Sequence, residues 1–162
     1  MSSYKRRTLF LMLAALGACG FQPAYGPNGP ATKLLGSIEV DAPDTRNSFD
    51  LVRRLEERLG QPQAPQFMLS YSLNLTEDDL AITPAQEITR YNVIGSVNYS
   101  IRDVGTGAVV HSGVVNNFSS YSATGTTVST QTAKSSAYAR LMIILADQIT
   151  THLIATSGSW MQ

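Results

Sequence analysis

Cysteine is almost absent from this 162-residue chain: Cys19 is the only one. A single thiol excludes an internal disulfide framework and a zinc site built on several thiolates. Histidine is nearly as scarce, with His111 and His152 alone. Neither stands near a Gly-x-Ser-x-Gly elbow or a metal-spaced partner, so both read as packing or surface residues, and no catalytic and no metal-binding residue is assigned. Glu77-Asp78-Asp79 lacks the spread of oxygen ligands and the turn glycine of a calcium loop, and reads as a charged strand end. Charged residues make up only 15% of the chain and the formal net charge is zero, which argues against a nucleic-acid binder. Long hydrophobic runs are missing as well. After Cys19 the longest, Leu141 to Ala146, falls far short of the roughly eighteen residues that a spanning helix needs.

What is present at the N-terminus is an address. Lys5, Arg6 and Arg7 precede an apolar stretch from Leu9 to Leu16, and the small residues Gly17 and Ala18 stand directly before Cys19. A charged segment, a short apolar segment and a small-residue cut site before a cysteine form a lipoprotein signal, in which the thiol accepts diacylglycerol before cleavage. Cys19 is thereby predicted to carry S-diacylglycerol and, after cleavage, an N-acyl chain, with no other cofactor. Each buried methylene adds about 0.8 kcal/mol of membrane affinity, so three acyl tails anchor firmly without a spanning helix. Gly20 does not resemble the Asp that retains lipoproteins at the inner membrane, which favours the periplasmic face of the outer membrane. Removal of residues 1–18 leaves nine basic against twelve acidic side chains, a net charge of about −3.

The remaining chain is long enough for one core. Pro23, Pro27 and Pro30 with Gly26 and Gly29 make residues 19–31 a lipidated N-terminus and linker, ahead of a single domain over 32–157 and a tail at 158–162. Leu34 to Val40 reads as a first strand. Asn47 or Ser48 is expected to cap a helix that presents Phe49, Val52, Leu55 and Leu59 on one side and stops at Gly60. Phe67, Leu69, Tyr71, Leu73 and Leu75 then alternate with polar residues, as do Tyr91, Val93, Val97, Tyr99 and Ile101, with Gly95 as a bulge or a point of close packing. Gly105-Thr106-Gly107 turns the chain into a third strand, which returns antiparallel from Val109 to about Tyr121. The Ser-, Thr- and Asn-rich stretch 116–136 reads as a long polar loop, and its order without a partner is left open. Tyr138, Leu141, Met142, Leu145, Ile149 and Leu153 mark a last helix over about 133–155, with Ile143, Ile144 and Ile154 pointing to burial on more than one side. The fold class is α+β: a two-layer sandwich with two helices on one face of a four-stranded, mostly antiparallel sheet, in the order β-α-β-β-β-α.

That order, together with Cys19-Gly20-Phe21-Gln22-Pro23-Ala24-Tyr25-Gly26, Thr89-Arg90-Tyr91-Asn92, Tyr99-Ser100-Ile101-Arg102-Asp103 and Leu145-Ala146-Asp147-Gln148-Ile149, resembles the LPS-assembly lipoprotein family, LptE, over essentially the whole mature domain. The resemblance implies a non-enzymatic component of the outer-membrane lipopolysaccharide translocon. Such a component plugs the LptD β-barrel in a one-to-one complex, assists its assembly and has lipopolysaccharide as a further ligand. Contact with lipid A phosphates needs cations, for which Arg90, Arg102, Lys134 and Arg140 are the candidates, against a plain solvated-surface role for each. The alternative is an accessory lipoprotein of another periplasmic transport system, since fold alone does not give function.

Overall fold

The computed structural model describes Gly26, residues 29–82 and residues 88–161. Cys19, the leader, most of the linker and residues 83–87 lie outside the described residues. Seven elements follow one another: α1 (Pro30–Leu34), β1 (Ile38–Val40), α2 (Arg46–Leu59), β2 (Phe67–Ile82), β3 (Ile88–Asp103), β4 (Val109–Ser122) and α3 (Thr127–Trp160). The four strands form one sheet in the order β1-β2-β3-β4. β1 runs parallel to β2, whereas β2, β3 and β4 form an antiparallel meander in which Leu69, Ile101 and His111 share one row and Leu73, Val97 and Val115 another.

The expected α+β sandwich is therefore present, with a third, short helix added. α1 occupies the start of the segment expected to be strand. Pro30 opens it, since its fixed φ suits a first helical turn and its missing N–H is not needed there. Ala31 and Leu34 are fully buried. Gly36 then turns the chain at φ 72°, and its amide donates to the Leu59 carbonyl at 2.7 Å, closing the C-terminus of α2. The strand is thus reduced to Ile38–Val40.

α2 begins two to three residues earlier than expected. Thr45, not Asn47 or Ser48, is its cap: Thr45 Oγ1 accepts from the Ser48 amide at 3.1 Å, and Ser48 Oγ accepts from the Thr45 amide at 2.8 Å. This is a reciprocal box in which Ser replaces the usual Glu or Gln. Leu51, Val52, Leu55 and Leu59 are its buried stripe, while Phe49 is exposed.

Of the polar loop expected over 116–136, only residues 123–126 lie outside strand and helix. β4 continues to Ser122, and α3 starts at Thr127 behind a Thr126 cap whose Oγ1 accepts from the Ser129 amide. The hydroxyl groups of the early helix are satisfied locally: Thr132 donates to the Val128 carbonyl at 3.0 Å and Ser135 to the Thr132 carbonyl at 3.0 Å. α3 also passes the expected stop near Gly158 and ends at Trp160. Thirty-four residues at 1.5 Å each give about 51 Å, matching sixteen-residue strands at about 3.3 Å per residue, so one helix spans the whole sheet.

The core lies between the sheet and the two long helices. Odd-numbered residues of β2 and β3 face the helices, with Leu69, Val93, Val97 and Ile101 fully buried against Leu141, Leu145, Ile149 and Leu153 of α3. Gly95 marks close packing and not a bulge: its ladder to Leu75 and Asn117 is unbroken, and a Cβ there would lie 2.8 Å from Leu145 Cδ1. Arg54 of α2 forks onto Asp147 of α3 at 3.0 and 3.1 Å, fastening the helices to each other. α3 packs against both the sheet and α2, so it is buried on more than one side, but of the three isoleucines only Ile154 joins the core while Ile143 and Ile144 are exposed.

Candidate functional site

Both long helices pack on one face of the sheet, which leaves the even-numbered residues of the meander on the other. There the strand registers set Ser70, Ser100 and Ser112 side by side, then Ser72, Asn98 and Val114, then Asn74, Ser96 and Asn116, and then Thr76, Ile94 and Phe118. Charges are confined to the ends of this surface, with Arg102 at one and Asp78 and Arg90 at the other. No described element covers it. It is a broad plane of hydroxyl and amide groups, with Val114 and Phe118 exposed along the β4 side.

At the Asp78 end, the helix side of the sheet carries a carboxylate network. Glu77 continues the inward series Phe67 to Leu75, so its side chain points at α3. It accepts from Lys134 Nζ at 2.8 Å, from Tyr138 Oη at 2.9 Å and from Tyr121 Oη, which joins β2, β4 and α3. Burial pushes the Glu77 carboxyl up, but the hydrogen bonds from Lys134, Tyr121 and Tyr138 outweigh it and hold it below the ordinary Glu value. Burial and the neighbouring carboxylate raise Tyr138 to about 12, and raise Tyr121 further. Tyr121 also stacks on Tyr91 at 5.1 Å. Glu77 was expected as part of a charged strand end. Strand alternation, carried two residues beyond Leu75, is the signal that would have placed it inside.

The four candidate cations divide accordingly. Arg90, Lys134 and Arg140 lie at this end of the domain, but not as one cluster. Arg90 is exposed on the uncovered face, at the Ser122 row. Lys134 is bound to Glu77 on the helix side. Arg140 reaches over the β4 edge, donating to the Ser120 carbonyl at 3.1 Å and to Ser119 Oγ at 3.4 Å. Arg102 stands at the opposite end, about 40 Å from Arg90 by strand rise, with its guanidinium on the Gly107 carbonyl of the hairpin turn.

The two histidines are separated as well. His111 lies in an aromatic group at the Arg102 end, stacked on Trp160 at 5.9 Å and tilted against Tyr99 at 5.9 Å, with Thr156 Oγ1 3.4 Å from its Nε2. Trp160 in turn meets Phe67 edge-on at 5.2 Å. Burial, and after it the charge of His152, pushes the His111 imidazole below its ordinary value. His152 is exposed on α3. Among the described residues no group of three His, Cys, Asp or Glu side chains could hold a metal ion. Glu77 and Asp78 point to opposite faces of β2 and so cannot converge on one. No described helix is long and apolar enough to cross a membrane.

Comparison with known proteins finds no match among curated sequences. Solved structures share the fold. A putative lipoprotein from Caulobacter crescentus is 20% identical, with a TM-score of 0.67 over 80% of this chain and 96% of that one. Rare lipoprotein B from Shewanella oneidensis is 14% identical, with a TM-score of 0.59 over 78% and 98%. A minor lipoprotein from Acinetobacter baumannii is 17% identical, with a TM-score of 0.57 over 76% and 94%. The sequence profile of the LptE family, described as lipopolysaccharide-assembly, matches residues 35–153, from the turn before β1 to the buried Leu153 of α3. The chain belongs to the LptE, lipopolysaccharide-assembly, family.

Proposed function

We propose that this protein is a non-enzymatic, lipid-anchored plug of the LptD β-barrel, held one-to-one in its lumen from the periplasmic face of the outer membrane, where it assists barrel assembly and lipopolysaccharide insertion. The observation that carries this reading is the uncovered sheet face. The lumen of a large barrel is polar and wet, and a domain seated in it needs a rigid surface that exchanges water for hydrogen bonds without burying unpaired charge. Rows of Ser, Asn and Thr between charged ends meet that requirement. An apolar, greasy surface would not.

In this reading residues 1–18 are removed and Cys19 carries the S-diacylglycerol and N-acyl lipid. The linker after Cys19 connects the anchor to the single domain, which runs from α1 at Pro30 to the end of α3 at Trp160. Lipopolysaccharide contact through Arg90, Arg102, Lys134 or Arg140 belongs to the same reading. Arg90, exposed at the end of the uncovered face, is the candidate that a phosphate reaches with no competing ion pair to Glu77 of the kind that holds Lys134. Extraction of the full-length protein in mild detergent tests the reading. A large outer-membrane barrel in one-to-one yield is the expected companion. Recovery with an inner-membrane transporter instead would favour an accessory role in another transport system.

A further inference from the structure

The two edges of the sheet are treated differently. The β4 edge is crossed by Arg140, whose guanidinium takes the Ser120 carbonyl. The β2 edge is open over most of its length, because β1 pairs only with Phe67, Met68 and Leu69. The Asp41 amide donates to the Leu69 carbonyl at 2.9 Å, which fixes the direction in which Leu69 presents its backbone groups. By two-residue alternation Tyr71, Leu73, Leu75 and Glu77 aim their N–H and C=O groups the same way. Among the described residues these groups have no backbone partner. Open edges of this length are usually blunted by Lys, by Pro or by a bulge. β2 contains neither residue, and its inward-pointing charge, Glu77, and its bulge at Asp79 and Ala81 stand only toward the far end, beyond Tyr71, Leu73 and Leu75.

Beside this edge the chain leaves β1 for α2 and encloses a cleft of about 460 Å³, bordered by Asp41, Asp44, Tyr71, Leu73 and Leu75 among others. Both carboxylates lie near enough to act on the Tyr71 phenol. The cleft thus combines unpaired strand backbone, a half-buried apolar floor and negative charge. We infer that the β2 edge from Tyr71 to Glu77 is a strand-addition site for an extended segment of the barrel partner that carries Lys or Arg opposite Asp41 and Asp44, an inference that rests on the barrel-plug reading. Backbone pairing supplies the attachment and the flanking charges select the occupant. A second copy of this chain fits poorly. Antiparallel self-pairing about Leu73 sets Glu77, Asp78 and Asp79 of one copy against Asp41 and Asp44 of the other, and β2 has no cation to offset them.

Hydrogen exchange resolved to single residues, on the full chain alone and in the detergent-extracted complex, tests this. The amides of Tyr71, Leu73, Leu75 and Glu77 are expected to exchange at least tenfold more slowly in the complex, while those of Ser72 and Asn74, already paired with β3, stay unchanged. Unchanged exchange at all four with the barrel present overturns the inference and leaves the plug reading intact. Absence of any barrel from the extract removes both. As a second arm, Leu73→Pro deletes one edge N–H and is expected to lower barrel recovery at least tenfold relative to Leu73→Ala, which keeps it. Equal recovery by the two folded variants also overturns the inference. Should Leu73→Pro not fold, the exchange measurement decides alone. Asp41→Asn with Asp44→Asn is expected to weaken recovery and flatten its salt dependence, and an unchanged salt profile counts against a basic occupant.

Discussion

Glu77 is the residue on which the far end of the domain depends, because three donors from two other elements converge on one carboxylate. Lys134 is partly exposed, so the ion pair itself contributes little, and the two phenol bonds matter more. Glu77→Gln keeps the shape but weakens every bond, and is expected to lower unfolding free energy by about 2 kcal/mol in urea titration; Tyr138→Phe should lower it by about 1 kcal/mol. No loss in either variant would mean that the network is a surface feature. At the opposite end, His111 gives the protein a pH dependence. Its folded pKa lies below the ordinary 6.5, so the unfolded chain takes up the proton first. Stability from this group is whole above that ordinary value and falls as pH drops through it toward the folded value. Urea midpoints measured at pH 7.5 and 5.5, above the carboxylate range, should decrease, and His111→Gln should remove most of the decrease. A midpoint that rises on acidification would reverse the assignment.

Among the elements, the strands and the core of each long helix were legible because their apolar residues repeat with periods of two and 3.6, and burial follows those periods. What periodicity could not reach was any stretch that buries little. The first turns of α3 carry Thr, Ser and Gln over an exposed surface, so nothing in their pattern distinguishes helix from loop, although Thr126 and Ser129 hold the capping chemistry. α1 was hidden for a related reason: five residues behind a proline are too short to show a period. Of the candidate site, the four cations could be named, but their partners could not, since pairing of Lys134 with Glu77 or of Arg140 with Ser120 depends on how α3 lies across the sheet. Gly95 sets how closely it lies. Gly95→Val places methyl groups against Leu141 and Leu145, both fully buried, and is expected to destabilise the domain by about 1–3 kcal/mol by denaturant titration. A neutral result would show that α3 can lift away from β3 at no loss. Thr126→Ala should lower stability by about 1 kcal/mol and loosen only the first turns of α3, visible as faster exchange at residues 127–131.

For the molecule as a whole, one layer of helices over one sheet leaves a second sheet face without an internal partner. That face is hydroxyl-rich and charged only at its ends, which is unlike a core and unlike an ordinary charged surface. In the proposed role, lipid on Cys19 would restrict where the domain can search, and a protein interface would have to hold it. Cys19→Ala, exported behind a substitute cleavable signal, is therefore expected to slow or impair assembly with the barrel while leaving the thermal unfolding of the domain unchanged. A domain that failed to fold would assign the tether a structural role instead. The most direct measurement is a photo-activated crosslinking residue placed in living cells at Asn98, in the middle of the uncovered face. The account predicts a covalent adduct with a large outer-membrane β-barrel. An adduct with an inner-membrane transporter, or none at Asn98 while the protein is abundant in the outer membrane, would contradict it.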